Sequence, residues 1–136
     1  MHTNSVVRKL LESRLLSSFP AVKIAFDNVT FTPPSDKYLR CSLLIAKPND
    51  SAGLGSDYIH QQGTFQVFVM DKLGIGTAGA NDTAGAISSV FYKRLTLQEG
   101  NVKVQVYGTP DVLQPVITAD RCVVPIMIPL LIEVTN

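Results

Sequence analysis

The residues that could do chemistry in this chain are few. His2 and His60 are its histidines, and Cys41 and Cys122 its cysteines. A structural zinc site needs paired ligands at short spacing, and these four are scattered. A Ser–His–Asp or Cys–His nucleophile would have to use His60, because His2 stands on a terminus that frays. No nucleophile-elbow pattern accompanies it. Both cysteines lie in alternating or apolar segments, which reads as buried strand thiols. Nothing indicates the oxidising compartment that a disulfide needs.

One glycine pattern fits a dinucleotide fingerprint literally: Gly74-Ile75-Gly76-Thr77-Ala78-Gly79. It follows a predicted strand and opens a predicted helix, and Glu99 follows at about the spacing of a ribose-binding acid. The surrounding pattern argues against it. A dinucleotide fold needs repeated βαβ units, whereas one helix here is followed by consecutive strands. Glu99 precedes Gly100 and reads as an approach to a turn rather than the end of a buried parallel strand. Asp71 and Asp82 flank the loop and oppose a phosphate, and no Lys or Arg lies between Lys72 and Lys93. The segment reads as a flexible strand-to-helix connection, and no cofactor is expected.

The elements that carry these residues follow from hydrophobic period. Val7, Leu11, Leu15 and Phe19 repeat every four positions, with Arg8, Lys9, Glu12 and Ser13 opposite, which predicts a helix over 5–19 ended by Pro20. The period then becomes two. Strands are predicted at 22–26, at 38–46 with Leu39, Cys41, Leu43 and Ile45 on one face, and at 64–70 with Phe65, Val67 and Val69 on one face. A second helix is predicted near 82–94, striped by Ala84, Ile87 and Phe91, with Lys93 and Arg94 in its last turn. Phe65, Val67 and Val69 should pack under Ile87 and Phe91. Val102, Val104 and Val106 alternate in a further strand, Val112 to Ile117 is a short apolar piece, and Cys122 to Val134 is a long last strand. Pro125 and Pro129 argue for an edge position or a bulge in that last strand. The reading is an α+β fold, a mainly antiparallel β-sheet packed with two helices in the order α-β-β-β-α-β-β-β, as a single domain over 1–136.

Composition narrows the function classes. The chain has 136 residues, 46% of them apolar and only 17% charged, with a net charge of +1. That balance excludes a basic module that reads nucleic acid through phosphate neutralisation, and it excludes an acidic tail. No apolar run is long enough to cross a membrane, and the N-terminus has no separate apolar region of a secretory signal. A soluble, sparsely charged domain is expected, with a surface compatible with assembly into something larger and equally with a quiet monomer.

The segments from Gly63 onward form a pattern of elements rather than a catalytic signature. Gly63-Thr64-Phe65-Gln66-Val67-Phe68-Val69 leads through the glycine-rich turn to a helix with Ala84, Ala86, Ile87 and Phe91. Leu95-Thr96-Leu97, Val102-Lys103-Val104 and Val124-Pro125-Ile126-Met127-Ile128-Pro129 follow. With the N-terminal helix, this resembles the bacteriophage tail-terminator-like family, a group of prophage-encoded domains distantly similar to the minor tail protein U of lambda-type phages. The resemblance implies a structural virion protein without catalytic residues. It implies a ring, typically six-fold, that caps the tail tube, ends its growth and offers a surface to the head. Its partners would be further copies of itself, the tail-tube protein and the head–tail connector protein, with no membrane. It would work in the phage tail after assembly in the bacterial cytoplasm. Another neck or tail-tube role is the nearest alternative, and a nucleotide-binding enzyme using Gly74 to Gly79 the more remote one.

The stretch 47–63 reads as the least structured part of the chain. Its length and glycines make it a candidate contact surface, with Asp57, Tyr58 and His60 as the candidate contact residues.

Overall fold

In the computed structural model, α1 (Thr3–Ser18) forms because its apolar positions fall on one stripe, and Val7, Leu11 and Leu15 are fully buried along it. The Phe19 N–H still reaches Leu15 O at 3.1 Å, and Pro20 then ends the helix. The structure describes residues 3–46, 49–50 and 58–135. After α1 come β1 (Ile24–Ala25), β2 (Tyr38–Ile45), β3 (Asn49–Asp50) and β4 (Tyr58–Asp71). Helix α2 (Ala78–Val90) follows. Then come β5 (Thr96–Glu99), β6 (Val102–Val106), β7 (Asp111–Val112), β8 (Val116–Ile117) and β9 (Cys122–Thr135).

The strands form one sheet in the order β1-β2-β4-β9-β6-β5, with β3 added to β4 and β7 and β8 added to β9. Among the described residues β1–β2 is the parallel pair and the other pairings are antiparallel. The class is therefore α+β with a mixed, mainly antiparallel sheet. Both helices share one core with one face of that sheet. Val124, Ile126, Ile128, Leu130 and Ile132 of β9 are fully buried there with Phe65, Val67 and Val69 of β4. Ile87 and Phe91 close over them, as the stripe predicts, and the Phe91 ring sits 5.6 Å from that of Phe65. Each large apolar side chain buried this way contributes about 1.5–3 kcal/mol. On the other face Val123, Met127, Leu131 and Glu133 are only half-buried.

Four expectations need correction. First, β9 is central, not an edge. It pairs with β4 along its whole length, and β8, β7 and β6 take its other side in turn. The prolines survive because of those interruptions. Pro125 falls between the residues paired to β8 and β7, and Pro129 between those paired to β7 and β6. Pro125 O accepts from Leu113 N–H at 2.9 Å, so the backbone groups of Pro125 point to the interrupted side. Pro129, four residues on, shares that direction, and the β4 ladder loses no donor. Second, α2 ends at Val90 rather than 94. Phe91 leaves the helix at φ −106°, ψ 57°, which turns its ring into the core. Arg94, at φ 79°, gives its N–H to Val106 O, so Lys93 and Arg94 lie beyond the last helical turn. Third, the strand at 22–26 shrinks to β1. Asn28 at φ 56° turns the chain, and residues 26–37 run as a loop. Arg121 fastens that loop through hydrogen bonds to Asp36 O (2.8 Å) and Pro34 O, and its guanidinium lies over the Tyr38 ring. Fourth, residues 58–63 are strand, as described next.

Candidate assembly surface

The stretch expected to be a loop is shorter than its composition suggests. Tyr58 begins β4 opposite Thr135, and His60 stands two positions on, between Asn49 of β3 and Glu133 of β9. Gln62 and Gly63 continue the same ladder, and Gly63 is required there: a Cβ would lie 2.9 Å from Leu44 O. Polar residues form a strand here because two neighbours supply the backbone partners, whatever the side-chain preference. His60 is half-buried. Register puts it in one row with Glu133 and Lys103 on the face away from the helices, where Lys103 Nζ lies 3.8 Å from Glu133 Oε2. Asp57 lies outside the described residues. Of the three candidate contacts, Tyr58 and His60 are thus placed two apart on one strand.

The glycine pattern is a turn followed by the start of α2. Gly74 (φ 79°) and Gly76 (φ 82°) need the left-handed backbone that glycine adopts at little cost. Thr77 stands at the helix start without a capping hydrogen bond from its side chain. Asp71 is buried at the foot of the loop, where its carboxylate accepts the Lys72 N–H at 2.8 Å, and a Cβ on Gly79 would be 3.7 Å from it. Lys37 reaches α2 from far along the chain, donating to Thr83 Oγ1 at 2.7 Å, and Lys72 Nζ pairs with Asp36 at 2.7 Å. Sequence adjacency gave no sign of Lys37 here. Both cations already hold protein partners. Among the described residues no cluster of His, Cys, Asp and Glu could hold a metal ion. Cys41 and Cys122 are free and buried, and burial pushes the Cys41 thiol up to about 12, which keeps it an unreactive thiol. Glu99 closes β5 and pairs with Lys9 of α1 at 2.8 Å, a structural use for the acid that the fingerprint would have given to a ribose.

What the described surface does offer is apolar. Val112, Leu113, Val116 and Ile117 are exposed within six consecutive positions, Ile117 at 64%. Leu73 and Ile75 are exposed on the loop before α2, and Leu73 lines the same depression as Thr118 and Ala119. Strands β7 and β8 pair with β9 on one side, and no strand among the described residues pairs with the other. The sequence marked this segment only as a short apolar piece. The available signal was apolar residues at both odd and even positions of a segment too short to be buried on both faces.

A family model described as phage tail terminator protein matches residues 6–130. The chain belongs to the phage tail terminator family. Its role is therefore that of a structural protein of the phage tail, associated with other tail components, and the resemblance read from the sequence is the right one. Solved structures match this tail terminator family member as well. One superposes with a TM-score of 0.76 at 29% identity, covering 98% of this chain and 96% of its own. No curated protein matches. No helix among the described residues is long and apolar enough to cross a membrane.

Proposed function

We propose that this chain caps the phage tail tube as a ring, six-fold in the assembled tail, ending tube growth and presenting the surface to which the head joins. The observation that carries the reading is the family match over 6–130. A low charge content supports it, since copies carrying +1 each can be brought together at little Coulomb cost. The ring's neighbours are the tail-tube protein on one side and the head–tail connector protein on the other. The chain assembles in the bacterial cytoplasm and stays in the virion tail. It acts as one domain over 1–136 without catalysis, cofactor or nucleic-acid sequence readout. Tyr58 and His60, at the end of the sheet where β4 begins, contribute contacts together with Asp57.

The test is electron microscopy of a phage lysate lacking this chain. Tubes should outgrow their normal length and filled heads should remain unjoined, with both defects repaired by the chain supplied from a plasmid. Tails of normal length in its absence would refute the capping role. A nucleotide titration followed at the amides of Gly74, Gly76 and Gly79 checks the non-enzymatic reading. No saturable shift is expected with NAD, NADP, ATP or GTP, because the buried Asp71 opposes a phosphate there and the helix end supplies only about half a charge.

A further inference from the structure

The β7–β8 edge has a counterpart across the sheet. β1 closes the opposite side, and no strand among the described residues pairs with its outer edge. Register places the two at one height. β1 lies in the rows of Val124 and Pro125, traced through β2 and β4, while β8 lies in the rows of Cys122 and Val123 and β7 in those of Ile126 and Met127. Strand direction also agrees. β1 runs with β2, β2 against β4, and β4 against β9, so β1 and β9 are parallel and β7 and β8 run against both. Rotating a second copy about an axis along the strands preserves every direction. Its β1 would then meet this copy's β7–β8 antiparallel and level.

The chemistry of the edge fits the same occupant. Between Asp111 and Asp120 there is no charged side chain, and Val116, Ile117 and Leu113 stand exposed. Val29, just past β1, is exposed at 60%. Chains that stay apart blunt such edges with charge or cover. An unpaired edge that is apolar between its flanking aspartates adds a strand from a neighbour well, because main-chain hydrogen bonds and apolar side chains act together.

We propose that the β7–β8 edge of one copy docks on the β1 edge of the next, head to tail, so that the sheet continues around the ring. The contact joins two different patches of one chain, the type of interface that closes a ring. It rests on the ring proposed above and names the surfaces that build it.

Cysteine cross-linking in purified tails tests both. The double variant Val29→Cys/Ile117→Cys, treated with a short bismaleimide, should give a ladder of multimers of this chain. Each single variant should give none, since Cys41 and Cys122 are buried. Glutaraldehyde should give multimers from every variant. Single variants that cross-link alone would mean a two-fold contact and overturn the proposal. A glutaraldehyde ladder without the bismaleimide ladder would keep the ring and overturn these surfaces. Absence of both would overturn the ring itself. Ile117→Lys, whose folding is checked by circular dichroism, should lower incorporation into tails by on the order of tenfold or more. Unchanged incorporation would overturn the proposal.

Discussion

β5 and the β7–β8 pair lie on the same flank of β9, yet their surfaces differ. β5 presents Thr96, Gln98 and Glu99 to solvent, turns Leu97 toward the core, and ties its end to α1 through Lys9–Glu99. β7, β8 and the link between them present Val112, Leu113, Val116 and Ile117, with Asp111 at one end, and among the described residues no ion pair involves them. The first edge is finished in the way of a strand that must not recruit another. The second is open. One polypeptide has treated two edges of one sheet in opposite ways, and the proposed contact between copies rests on that difference.

Both edges hang from the shared core, so the largest effect should come from removing that support. Phe91→Ala should cost about 3–5 kcal/mol in urea unfolding, because the ring is fully buried against Phe65. A loss under about 1 kcal/mol would mean that α2 does not anchor the β4–β9 core. Next comes Gly63→Ala, where the added carbon meets Leu44 O across the β2–β4 pair. A loss of about 1–3 kcal/mol is expected, and wild-type stability would show that the close approach is not retained in solution.

Matched charges sharpen the contrast between the edges. Glu99→Lys removes the Lys9 ion pair of the closed edge. Exposed pairs of this kind contribute about 0–1 kcal/mol, so unfolding should shift by no more than that, with the shift shrinking in salt. Ile117→Lys should move stability by about 0.5 kcal/mol or less, since the side chain is already in water. A larger loss would mean that Ile117 is part of the folded core.

The smallest effect concerns the far edge. Burial pushes the Asp27 carboxyl up, but hydrogen bonds from Arg8 (2.9 Å) and the Leu43 N–H and the charge of Arg8 outweigh it, so its folded value lies below the ordinary one. A carboxyl lowered on folding stabilises above its unfolded value of about 3.9 and loses that contribution as pH falls through the folded value. Asp27→Asn should therefore reduce stability near neutrality slightly and flatten its decline below about pH 4. Glu12, raised by burial, changes stability in the opposite sense and limits the effect. An unchanged acid limb in chemical denaturation would contradict the role of Asp27.

Periodicity carried much of this structure. The stripe of α1, the alternation of β2 and β6, and the Phe65–Ile87–Phe91 packing are short-range patterns, and the chain folds as they dictate. What escaped was decided by partners distant in sequence. Tyr58 to Gly63 looks like a loop until β9 supplies its ladder. Pro125 and Pro129 look like edge residues until the interruptions among β8, β7 and β6 leave room for their missing donors. Lys37 at α2 and Arg121 on the 34–36 loop are likewise invisible locally. The candidate contacts were chosen by loop-like composition, which cannot separate an open strand edge from a connection. Exposure after folding marks the β7–β8 edge, which composition alone did not.

The most direct measurement is tail length in the two charged-edge variants, each supplied to a phage lacking the chain. Under electron microscopy Ile117→Lys should leave overlong, unjoined tubes, while Glu99→Lys should restore tails of normal length joined to heads. Normal tails with folded Ile117→Lys would contradict the assignment of assembly to the β7–β8 edge.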